Sequence, residues 1–177
     1  MKINIFRIVI DHMSTLRNAR NGYISITDLF VFYIVPVGLA VLAFWSPVVL
    51  EDSIFSQSIA VFSIFSALLF SVQIALFGIF SKSRAARDEY DETFVAERVE
   101  ASRKLISETN SNISYLIVLS AISVTLFLAA SVFDESNQFE SAFAVFLYSH
   151  FMLTLLMVIK RVHALFAKEY EQDEPHV

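Results

Sequence analysis

The side chains in this sequence whose type and placement bear on chemistry are few, and most of them sit in apolar surroundings. His150 lies inside a long uncharged stretch, next to Tyr148 and Ser149. An imidazole there can titrate, line a pore, or tie one helix to another. Gln73, within the stretch from Ile54 to Phe80, poses the same choice between interhelical bond and pore lining. Pro36, two residues before Gly38, removes a backbone donor from the middle of another apolar stretch and is a candidate hinge. The remaining chemistry is missing. His12, His150, His163 and His176 are scattered, with no His/Glu spacing suited to zinc. With no Cys there is no thiolate ligand or disulfide, and three Gly cannot build a phosphate loop. No Ser-His-acid set is identifiable. No acid or base lies near the midpoint of an apolar stretch, which argues against a proton-coupled transporter. No catalytic residue, metal site or cofactor is expected, and the chain reads as a protein other than an enzyme.

The elements that hold these residues are set by the apolar pattern. Of 177 residues, 56% are hydrophobic, and they fall into four blocks with the charges between them. About 20 apolar residues cross a bilayer as a helix. The blocks 29–50, 54–80, 113–133 and 142–159 meet that length or come close to it. Too little polar chain remains to cover four such helices in water. Period-2 alternation is absent, which excludes a membrane β-barrel. The expected fold is an all-α membrane protein forming one domain over 1–177. It is a four-transmembrane-helix bundle with an N-terminal amphipathic helix and a cytoplasmic helical extension between spans 2 and 3.

Orientation follows from the basic residues. All thirteen Lys and Arg lie in the N-terminal segment, the link between spans 2 and 3, and the C-terminal segment. The other two loops carry only acids: Glu51 and Asp52, then Asp134, Glu135 and Glu140. The positive-inside rule therefore places both termini and the link in the cytoplasm.

The flanking segments have their own patterns. Residues 2–19 place Ile3, Phe6, Ile10, Met13 and Leu16 on one helical face, suited either to the lipid interface or to the bundle's own end. The apolar run is broken by Arg7 and Asp11, so it does not read as a cleavable signal. Thr27 or Asp28 is expected to cap the first span. The link 81–112 has no Gly or Pro, so span 2 is expected to continue as helix, turn near 88–93, and return as helix into span 3. The acidic tail 168–177 is expected to fray.

Small residues form a stripe on span 2: Ser56, Ala60, Ser63, Ala67, Ser71, Ala75 and Gly78, with a weaker one on span 3 at Ser114, Val118, Ala121, Thr125 and Ala129. In lipid such faces let helices approach closely, so these are expected to form the core of the bundle, within one subunit or between subunits. Phe55, Phe62, Phe65 and Leu69 on the opposite face suit lipid or groove filling. A homo-oligomer is expected, a tetramer being one candidate size, because four helices alone leave only a small polar interior. The link is longer than a turn requires. It offers Arg84, Arg87, Tyr90, Phe94, Arg98, Arg103 and Lys104 as docking residues for a cytoplasmic protein. The expected partners are the lipid bilayer, further copies of the chain and that cytoplasmic protein, with no direct nucleic-acid contact. A small oligomeric pore or membrane-depolarising effector, lined by the Ser-rich face of span 2 and His150, is the alternative.

The layout differs from that of small multidrug transporters, which carry a Glu in their first span. An amphipathic start, four spans from Leu29 to Ile159, very short outer loops and a helical inner link resemble the KwaA membrane-subunit family of the bacterial Kiwa anti-phage defence system. The resemblance is one of layout and carries over no individual residue. It implies an inner-membrane oligomer that senses phage attack and controls a cytoplasmic DNA-binding subunit. That subunit would dock on 84–112 and the tail.

Overall fold

The computed structural model describes residues 5–16, 25–47, 49–87, 93–132 and 137–173. Among the described residues it contains five helices and no strand. Helix α1 is Ile5–Ser14, α2 is Ile26–Trp45, α3 is Asp52–Arg87, α4 is Thr93–Val132 and α5 is Gln138–Asp173. Helices α2 to α5 are each long and apolar enough to cross a membrane, and the chain is a multi-pass membrane protein.

The helix ends have local causes. Ser25 rather than Thr27 or Asp28 is the N-cap of α2: it is extended, and its hydroxyl accepts from the Asp28 N–H at 3.3 Å. The Ser25 N–H also reaches back to the Leu16 carbonyl, folding the entry to α2 against the end of α1. Helix α2 stops at Trp45, five residues short of the expected Leu50. Pro47 disfavours helical geometry at the residue before it, and Ser46 is extended with ψ 141°. Asn137 caps α5 by accepting from the Glu140 N–H. At its other end α5 runs on to Asp173, so the tail expected to fray is helical that far. The expected continuation of span 2 into a polar helix, and the helical approach to span 3, are both present. The turn expected near 88–93 falls on 88–92, outside the described residues.

At about 1.5 Å per residue, 36 and 40 residues make α3 and α4 roughly 54 and 60 Å long, against a hydrocarbon core of about 30 Å. Their apolar windows sit at the acidic end, Ser53–Gly78 and Arg103–Val132. The excess length therefore projects at the basic end, where the Lys and Arg residues cluster.

In the bundle α3 packs along α4, α4 along α5, and α5 along α2, with α1 seated on α4. The core is aromatic. Phe62 is fully buried, with ring centroids 5.0 Å from Tyr148, 5.0 Å from Phe151 and 5.6 Å from Phe127. Phe55 and Leu69 share this side of α3. Of the two expectations for the small-residue faces, a core within one subunit is thereby corrected. Ser56, Ala60, Ser63, Ala67, Ser71, Ala75 and Gly78 are all exposed, as are Ala121, Thr125 and Ala129 on α4. Large rings gain more dispersion contact per residue than Ser or Ala, so within one subunit the bulky face turns inward.

Candidate functional site

The main concentration of buried polar side chains described lies toward the basic end of the bundle, where α1, α2, α4 and α5 meet. Its origin can be traced to Pro36. In an α-helix the carbonyl of Phe32 would accept from the nitrogen of residue 36, and proline has no hydrogen there. The preceding turn widens into a π-helix over Phe30–Ile34, with the Val35 N–H bonding the Phe30 carbonyl. The Phe32 carbonyl is taken instead by His150 Nδ1 at 2.8 Å. A carbonyl only accepts, so Nδ1 carries the hydrogen, and Nε2 is left to accept from the Tyr115 hydroxyl at 2.7 Å. His150, 2% exposed, thus fastens α5 to both α2 and α4. Tyr33 and Phe146 pack their rings against it.

Tyr115 carries the cluster on to α1. The His12 ring lies flat on it, centroids 3.9 Å apart and planes within 1°. His12 Nδ1 donates to the Asn112 amide oxygen at 2.7 Å. The Thr15 hydroxyl lies 2.8 Å from the same oxygen and 2.7 Å from the His12 carbonyl, and donates between them. Arg161 of α5 donates to the Thr15 carbonyl at 2.9 Å and pairs with Glu108 of α4 at 3.4 Å. Burial holds the His12 imidazole well below its ordinary 6.5, at about 4. The Asn112 bond opposes the effect of burial, and the nearby charge of Arg161 adds to that effect. His12 is therefore neutral at physiological pH.

The arrangement positions a helix. Its hydroxyls, amide and imidazoles bond one another across four helices, and among the described residues no three His, Asp or Glu side chains come close enough to hold a metal ion. Within this cluster His12 Nε2, Thr109 Oγ1 and Asn112 Nδ2 are buried without a hydrogen bond, and Arg161 Nη1 has only its ion pair with Glu108. Incomplete satisfaction at one helix–helix contact marks it as weaker than the aromatic core.

Helix α1 is thus split between two environments. Its bundle side is His12, Thr15 and Leu16, all buried. Its apolar face stays open, with Phe6 79% and Ile10 65% exposed. Of the two alternatives read from its sequence, packing on the bundle's own end is seen for His12, Thr15 and Leu16, and Phe6 and Ile10 are left exposed.

The other sequence-derived site residues fall as follows. Gln73 donates to Asn110 at 3.0 Å and to Ser114 at 2.9 Å, joining α3 to α4. Pro36 is buried beside the π-turn. Arg84 and Arg87 lie on the extension of α3. Phe94 and Arg98 lie on the first turns of α4, Arg103 is partly buried and Lys104 exposed. Tyr90 lies outside the described residues. His12, Thr109, Asn112 and Tyr115 were not singled out by sequence. The signal available was Thr109, Asn112 and Tyr115 at steps of three, a polar stripe on one face where the third span begins. Comparison with family models, with curated proteins and with solved structures finds no match to the chain, so its function rests on this geometry.

Proposed function

We propose that the chain is a non-enzymatic subunit of the bacterial inner membrane, with both termini and the α3–α4 link in the cytoplasm. It oligomerises in the bilayer and recruits or controls a cytoplasmic protein, in keeping with the Kiwa-like layout and a role in anti-phage defence. The carrying observation is that α3 and α4 run without a break from the apolar bundle into charged helix at the basic end. Continuous helices transmit a displacement in the membrane to a surface outside it. Helix α1, with Phe6 and Ile10 open and its end held by the His12–Asn112 contact, supplies an element that responds to the bilayer. The small-residue face of α3 supports assembly. It is exposed, and with α4 it leaves a groove of about 540 Å³ lined by Ser63, Ala67, Ser120 and Ala121.

Affinity purification of the tagged full-length protein from its own host tests the reading. A soluble protein is expected to co-purify in fixed ratio, to rebind when both are purified, and to be lost on reversing Arg98 and Lys104 to Glu. Absence of any stoichiometric soluble partner would remove the motive for it.

The pore reading is favoured by one observation. Ser56, Ser63 and Ser71 face outward, beside the Gln73–Asn110 bond. Such a seam lines a polar path if copies close around it. His150 does not belong to that face, since both its nitrogens are bonded inside the subunit. Reconstituted protein that passes ions, with flux blocked by Ser63→Leu, would favour this reading over recruitment.

A further inference from the structure

We propose that the groove where α3, α4 and α5 meet at the acidic end of the bundle binds a lipid with an ammonium headgroup, of the phosphatidylethanolamine class. The ammonium sits on Glu140 and an acyl chain lies against Leu126 and Phe127. The groove encloses about 380 Å³, within the range of small-molecule sites, and opens sideways on the apolar surface. Its walls are Phe55, Leu126, Phe127, Phe139 and Phe143, with small residues Ala129 and Ala130 at the back. Glu140 is the one ionisable side chain in this lining. Its Oε2 is shielded from solvent and makes no hydrogen bond.

A carboxylate oxygen withdrawn from water is costly without a donor, so the site calls for a cation bearing N–H groups. The protein cannot supply one. All thirteen Lys and Arg lie in the segments at the opposite end, so neither this subunit nor a second copy inserted in the same direction brings a cation here. The membrane can, at the depth where a helix begins. The rings add to the attraction. Phe139 stacks on Phe143 with planes 9° apart, and exposed aromatic faces attract ammonium groups. An apolar chain continuing from the headgroup then covers the rest of the groove. This site is independent of whether a soluble protein docks at the basic end.

Native mass spectrometry of the full-length protein, titrated with phosphatidylethanolamine and phosphatidylglycerol of identical chains, tests it. The wild-type protein is expected to retain phosphatidylethanolamine roughly tenfold better, and Glu140→Gln to bring the two lipids within about twofold at an unchanged unfolding temperature. Equal retention of the two lipids by the wild-type protein would overturn the proposal without any variant. An unchanged preference in Glu140→Gln would overturn it equally.

Discussion

His150 shows what a single polar side chain does inside an apolar bundle. Both ring nitrogens are bonded, one to a carbonyl that Pro36 leaves open and the other to Tyr115. Replacing Tyr115 by Phe keeps the ring and leaves Nε2 without a donor. A loss of roughly 1–3 kcal/mol is expected, read as a lower unfolding temperature in detergent. His12 gives a pH dependence whose sign is fixed. Its folded-state pKa of about 4 lies below the unfolded 6.5, so the unfolded chain binds the proton more readily. The neutral ring's contribution is complete above pH 6.5 and falls away as pH drops toward 4, by on the order of 3 kcal/mol in all. His12→Phe should flatten the unfolding-temperature profile between those values. A wild-type profile flat from pH 7 to 4 would show that His12 is solvated. His150 was legible as a candidate because an imidazole inside an uncharged span has few roles. His12 was not, because its partners stand about a hundred residues away and nothing local marks them.

At the scale of the element, α1 is the informative case. Its sequence periodicity marks an apolar face, but what docks is a mixed stretch, His12 and Thr15 with Leu16, while Phe6 and Ile10 of the apolar face and Arg7 and Asp11 beside it stay exposed. Periodicity reports which side avoids water, and near a bilayer both lipid and protein satisfy that demand. Asn112→Leu removes the acceptor of His12 and Thr15 together. Amide exchange across 5–14 is expected to quicken while exchange in the α3–α4 core stays slow, and protection retained over 5–14 would show that apolar contacts hold α1. The spans themselves were legible by length and composition. Their ends were less so, since capping depends on single residues such as Ser25 and Asn137, and the Ser46-Pro47 step ends α2 within an apolar run. The orientation of α3 about its axis was not legible. Small and bulky faces are both apolar, and the choice between them is made by ring packing among Phe62, Phe127, Tyr148 and Phe151.

At the scale of the whole molecule, the exposed small-residue face of α3 separates folding from the proposed assembly. Ala60→Leu with Ala67→Leu places bulk on exposed positions. The subunit is expected to keep its unfolding temperature while oligomers seen by native mass spectrometry dissociate. Oligomers that survive the double substitution would place the interface elsewhere. Orientation underlies the rest of the functional reading, because recruitment of a soluble partner needs the extensions of α3 and α4 on the inner side of the membrane. The chain has no cysteine, so single cysteines report topology without background. The direct measurement is labelling of intact spheroplasts with a membrane-impermeant maleimide, using Ser53→Cys at the acidic end and Lys104→Cys at the basic end. Labelling of the first alone, with the second reacting only after lysis, is the expected result. Labelling of Lys104→Cys in sealed spheroplasts would contradict the proposed topology and with it the docking of a cytoplasmic partner.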